Sequence, residues 1–219
     1  MSIVIHHLEH SRSTRILWML EELELAYTIK HYRRHPKTMR ADPALREVHP
    51  LGRSPLISVD GRVLAESGAI LEYFAEREHA LRPSDPDRLV DYRYWLHYGE
   101  GSAMPPLLVK LIFGKLRTGV PFFLKPLTGA IANQVDAAFT DGEIRNHFGW
   151  VERWLGDNEH FAGDFSMADI QMLYPIEASL TRGGLAERPN TTAWLARMRS
   201  RPALQKALES GGELIPPGA

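Results

Sequence analysis

The segment VHPLGRSPLISVDGRVLAESGAI, residues 48–70, sets a Pro-Leu-Gly turn, an Arg-Ser-Pro triplet, an Asp-Gly corner and a Glu-Ser pair in one short span. Two apolar runs flank Asp60-Gly61, a pair suited to the positive φ values of a tight hairpin turn. The spacing predicts a β-hairpin over 55–66 and a helix over 67–77, with Ile70, Leu71 and Phe74 on one face. Pro55 opens the hairpin, where a missing backbone donor is tolerated. If the Ser54–Pro55 bond is cis, the N–H and C=O of the preceding residue turn outward and can pair with a peptide ligand as an added strand would. A trans proline ending a loop is the commoner case. At the other end of the span, Ser67 is a good N-cap, and a helix start offers free N–H groups to an anion such as an α-carboxylate. Glu66 beside it suits an α-ammonium. A plain cap with an acidic neighbour explains the pair equally well.

Working outward, SIVIHHL (2–8) alternates as a strand, RILWMLEELEL (15–25) carries Ile16, Leu17, Leu20 and Leu23 on one helical face, and YTIKHY (27–32) returns to alternation. PALREVH (43–49) is a short helix. The order over residues 1–79 is β-α-β-α-β-β-α, the thioredoxin-like arrangement with helices on both faces of a small sheet. Residues 80–87, within the Pro- and Asp-rich LRPSDPDRL, read as a linker. From 88 to 219 the patterns are helical, at about 88–118, 130–157, 167–182, 190–200 and 203–209. An α/β domain therefore precedes an all-α helical bundle. Ser166 and Asp169 form a capping box ahead of an apolar run, a folding feature.

Composition narrows the function classes. The 219 residues carry 26 basic against 27 acidic side chains, dispersed along the chain, which argues against a nucleic-acid partner. The N-terminus lacks the basic and apolar regions of a signal peptide, and no stretch reaches the ~20 apolar residues of a membrane span, so a cytoplasmic location is expected. There is no cysteine. Disulfides, thiolate metal sites and a cysteine nucleophile are excluded, so thiol chemistry here requires a thiol brought by a ligand.

HLEHSRSTRIL (7–17) joins the first strand to the first helix. Ser11 or Ser13 can donate a hydrogen bond to a thiolate there, with Arg12 or Arg15 adding positive charge; equally, one serine can simply cap the helix. His6 and His7 point to opposite faces of a strand, so they cannot converge on one metal ion, and no metal site is expected. In AMPPLLVKLIFGKLRTGVPFFL (103–124), Met104, Leu107, Leu108, Phe113, Phe122 and Phe123 exceed what a surface segment needs. Most such residues are core, and a minority lining an open pocket would suit a hydrophobic substrate.

Taken together, in this order and spacing, the pieces resemble the cytosolic glutathione transferase superfamily over about residues 2–205. HPLGRSP…LAESG, YGEGS…PPL and GEIRNHFGWVE look most like the fungal-type transferases, the yeast endoplasmic-reticulum-associated kind included, and their bacterial relatives. The resemblance implies that Pro55 is the cis proline and that the Ser54 backbone pairs with the cysteinyl part of glutathione. It further implies that Glu66 and Ser67 hold the γ-glutamyl end, that Arg53 meets the glycyl carboxylate, and that His49 stands where many members have Asn. The helical domain would supply a hydrophobic acceptor pocket and part of a homodimer interface. The chain has no cysteine, and no tyrosine in the first strand or the loop after it, which sets it apart from the cysteine- and tyrosine-type members; by position the resemblance to the serine-type members implies Ser11 as activator of the thiol, with His10 and Ser13 as alternatives. The implied reaction is attack of the glutathione thiolate on an aryl halide, an enone or a peroxide. A glutathione-binding regulator or a ligand carrier on the same fold is the competing reading, because fold and binding site do not fix activity.

Overall fold

The computed structural model describes residues 1–182 and 187–215; parts of the expected helical domain at 183–186 and 216–219 lie outside the described residues. Strand β1 (Ile3–Leu8) is followed by helix α1 (Ser13–Glu22), β2 (Thr28–Tyr32), α2 (Leu45–Val48), β3 (Leu56–Val59), β4 (Arg62–Ala65) and α3 (Ser67–Arg77). The sheet order is β2-β1-β3-β4. β1 runs parallel to β2, with Ile5 opposite Ile29, and antiparallel to β3, with Ile5 opposite Ile57. A parallel pair needs a crossover, and α1 supplies it. The hairpin turns at Asp60 and Gly61, both at positive φ (48° and 86°), as the Asp-Gly pair predicts.

Helices follow: α4 (Pro86–Tyr98), α5 (Met104–Thr118), α6 (Lys125–Val135), α7 (Asp141–Asp157), α8 (Met167–Arg182), α9 (Pro189–Arg199) and α10 (Pro202–Gly211). Two π-helical turns, Gly99–Ala103 and Asp136–Thr140, fuse α4 to α5 and α6 to α7 into long rods. The sequence pattern marks these rods as continuous helix and is silent on the π turns, because an extra residue in a turn leaves little trace in hydrophobic period. The expected capping box forms: the Ser166 N–H donates to Asp169 Oδ2 (3.0 Å) and the Ala168 N–H to Ser166 Oγ (3.3 Å). Asp169, wholly buried, also accepts from Trp194 Nε1 (3.1 Å), so it anchors α9 as well.

One apolar core runs through both halves. Ile5, Leu17 and Phe74 of the sheet region join Trp95, Phe148 and Trp194 of the helices. Ionic contacts stitch the halves together, among them Arg201 with both carboxylate oxygens of Glu22 (2.6 and 2.8 Å) and the wholly buried Arg15 with Glu100 (2.5 Å); Arg15 also donates to the Gln171 carbonyl (2.8 Å). Among the described residues no helix is long and apolar enough to cross a membrane.

Candidate functional site

The hairpin register builds the first wall of the site. Leu56 pairs with Ala65, which brings Pro55 level with Glu66 across the strand ends. The Ser54–Pro55 bond is cis. His49, Arg53, Ser54, Pro55 and Glu66 line one cleft with Leu51 and Ala65. Arg53 and Glu66 are exposed there, His49 and Ser54 half-buried, and Pro55 is buried under them. Glu66 adopts φ 68°, a left-handed conformation disfavoured for a residue with a Cβ. Such a residue persists where its surroundings impose it, and it clusters at ligand clamps.

Ser67 is not the N-cap that the sequence suggests. It is the first residue of α3, with Glu66 in the cap position, and its hydroxyl accepts from Arg15 Nη2 (2.5 Å). The reason is burial. Arg15 is sealed from solvent and its donors need acceptors, which Ser67, Glu100 and the Gln171 carbonyl supply. No side chain caps α3, so its first N–H groups remain available at the cleft.

Ser11 sits at the other side of this wall. Its Oγ lies 2.9 Å from Ser54 Oγ, 2.8 Å from Ser13 Oγ and 2.7 Å from the Leu8 carbonyl, to which it donates. It also accepts from the Ser13 N–H (3.2 Å), so the serine facing the cleft is itself the local helix cap. Ser13 is wholly buried and cannot reach a ligand in the cleft. Its place is behind Ser11, 2.9 Å from His7 Nδ1. His7 Nε2 lies 2.8 Å from the Gly211 carbonyl, which can only accept, so the ring proton is on Nε2 and Nδ1 accepts from Ser13. Ser13 thereby commits its one proton to His7 and has none for Ser11, whose own proton rests on the Leu8 carbonyl. Burial holds His7 near a pKa of about 4, with the Gly211 bond opposing, so the ring is neutral at pH 7. His10, at φ 49°, turns its ring to the Glu213 carbonyl (3.3 Å), toward the C-terminal segment.

Positive charge gathers beside Ser11. Arg12 bonds Glu100 (2.7 Å) and stands 4.4 Å from the centre of the Tyr174 ring. Burial alone would raise Glu100, but Arg15 and Arg12 outweigh it and hold the carboxyl at about 2. Glu100, Tyr174 and His7 escape sequence reasoning. Their importance comes from α4, α8 and α10 meeting the loop after β1, and only the wording YGEGS hints at Glu100.

The expected apolar pocket divides. Met104 and Leu107 are buried and belong to the core, because that face of α5 packs on α8. Leu108 (51% exposed) lies on the outer face, and Phe113 is half-buried. Phe122 (82% exposed) and Phe123 occupy an exposed 3₁₀ turn rather than a pocket wall. Of the six, two lie in the core, three are exposed and one is half-buried.

Comparison with known proteins places this geometry. A family profile described as the glutathione S-transferase N-terminal domain matches residues 11–77. The chain is 35% identical to glutathione S-transferase 1 of Saccharomyces cerevisiae, over 97% of this chain and 96% of that one. It is 37% identical to glutathione S-transferase 3 of Schizosaccharomyces pombe, over 94% and 87%. A crystal structure of a glutathione S-transferase from Actinobacillus pleuropneumoniae superposes with a TM-score of 0.81 at 29% identity, covering 97% of this chain and 94% of the other.

Proposed function

The chain belongs to the glutathione S-transferase family, and from that premise we propose that it ionises the thiol of glutathione beside Ser11 for attack on a small electrophile. The observation that carries this reading is one contact: Ser11 Oγ stands 2.9 Å from Ser54 Oγ, at the cis peptide where a bound cysteinyl residue would pair. In this reading residues 1–79 hold the peptide. Arg53 meets the glycyl carboxylate, the Ser54 backbone the cysteinyl unit, and Glu66 with the α3 N–H groups the γ-glutamyl end. His49 borders the glycyl side, and residues 88–219 hold the acceptor.

The energetics are adequate with a modest surplus. A free thiol titrates near ~8.5. Ser11 must exchange a bond to the Leu8 carbonyl, about 1 kcal/mol net, for one to a thiolate, about 1.5–3 kcal/mol. The α1 N-terminus adds about 0.3–1 kcal/mol, and the Ser54 hydroxyl is a second donor. The sum of about 2 kcal/mol lowers the thiol by one to two pKa units, enough to ionise about half of it near neutrality.

The reading extends to a cytoplasmic homodimer, for which the exposed Val90 and Tyr94 on α4 offer an apolar face. Peroxide reduction by the same thiolate is a further activity of this site. The test is formation of the glutathione conjugate of chlorodinitrobenzene, followed by absorbance, in wild type and Ser11→Ala. Wild type is expected to turn over, with Ser11→Ala slower by about tenfold or more. A wild type that binds glutathione without turnover would return the protein to the regulator or carrier reading.

A further inference from the structure

Between α5 and α8 lies a cavity of about 320 Å³. That is the lower range of small-molecule sites. Lys110, Leu111, Lys115 and Thr118 of α5 line it with Thr181 and Arg182 of α8. The lining holds three cations, two hydroxyls and no carboxylate. Lys110 is already engaged by Asp141, with Asp136 at 3.9 Å. Lys115 and Arg182 have no ion-pair partner among the described residues.

Arg182 is the informative one. It is half-buried, and its Nε is sealed from water with no hydrogen-bond partner among the described residues. Desolvation lowers its pKa, the Tyr174 hydroxyl opposes that shift, and nearby Arg12 adds to it. Cations in the last turns of α5 and α8 suit the helix dipoles, but that role is filled as well by exposed side chains. A guanidinium held partly out of water without an anion is a cost the fold carries until an anion arrives. Arg182 also leads back to the thiol, since Tyr174 bridges it to Arg12, the residue after Ser11.

We propose that the acceptor of this transferase is an organic anion, a small electrophile bearing a carboxylate that seats on Arg182 and Lys115 while its apolar body lies along Leu111. The inference rests on the transferase reading and names its substrate class. With a chlorodinitrobenzoate the step is aromatic substitution: the thiolate forms the C–S bond, the C–Cl bond breaks with its electron pair, chloride leaves, and the thiol proton passes to solvent.

The experiment compares kcat/KM for a chlorodinitrobenzoate with that for the matching neutral chlorodinitrobenzamide, each divided by its uncatalysed rate. Wild type is expected to favour the benzoate, and Arg182→Gln to lower the benzoate-to-amide ratio by about tenfold, the value of one charge-assisted hydrogen bond. Arg182→Lys should restore most of the ratio, and Lys115→Gln, at a more exposed site, should lower it less. A ratio unchanged in Arg182→Gln and Lys115→Gln overturns the proposal while leaving the transferase intact. If wild type turns over neither compound, the transferase reading fails. Calorimetric binding of the pre-formed benzoate conjugate of glutathione to wild type and Arg182→Gln then decides the anion site separately, equal affinities overturning it.

Discussion

Ser11 acts at the end of a hydroxyl chain whose direction is set two residues away. His7 takes the Ser13 proton on Nδ1 and gives its own to the Gly211 carbonyl, so Ser13 has no proton for Ser11, whose own rests on the Leu8 carbonyl until a thiolate takes it. This chain has a pH signature. Buried His7 titrates at about 4 against 6.5 in the unfolded chain, so below pH 6.5 the unfolded chain binds the proton first. Its contribution is complete above about pH 6.5, is lost as the pH falls to about 4, and amounts to roughly 3 kcal/mol. His7→Gln offers the same donor and acceptor without a titration. Urea unfolding at pH 7 and pH 4.5 should therefore show a smaller loss in His7→Gln than in wild type; equal losses would remove His7 from the chain. Gly211 is fixed by the same contact. A Cβ there would meet Leu17 Cδ1 at 2.5 Å and His7 Cε1 at 2.8 Å, which is why the chain terminates α10 with glycine at this point.

At the scale of elements, the hairpin carries the cleft. Its register was legible from Asp60-Gly61 and the alternation on either side, and that register brings Pro55 opposite Glu66. The conformation of Glu66 was not legible, since nothing local calls for a left-handed glutamate; the strand-to-helix corner imposes it. Glu66→Gly should release about 1 kcal/mol of strain and raise the urea midpoint, while weakening glutathione binding measured by calorimetry. Stabilisation with unchanged affinity would detach Glu66 from the ligand. The capping role of Ser67 was misread for a physical reason. Capping propensity is local, but Arg15 arrives from α1 and takes the hydroxyl. The apolar wording of 103–124 likewise cannot say which face of α5 meets α8, and that packing sent Met104 and Leu107 inward.

Across the whole molecule, the site exists because two regions share one core and a few charged contacts. Arg15 and Arg12 of the α1 region both converge on Glu100, held in a π turn between α4 and α5. Glu100→Ala would leave Arg15 charged and wholly buried with its ionic partner gone, at a cost of about 3 kcal/mol in urea unfolding. A change under 1 kcal/mol would mean that the Gln171 carbonyl and Ser67 suffice for Arg15. The order of strands and helices was readable from hydrophobic period and turn residues, because each element is specified by its own sequence. The meeting of Glu100 and Tyr174 with the loop after β1 was not, since it depends on how helices far apart in sequence cross. The central claim is that Ser11 stabilises a thiolate in the cleft, and ultraviolet titration of the bound glutathione thiolate tests it most directly. The account predicts a midpoint one to two units below the ~8.5 of a free thiol, moving back upward in Ser11→Ala. A wild-type midpoint at the free value, or one that Ser11→Ala leaves in place, would contradict it.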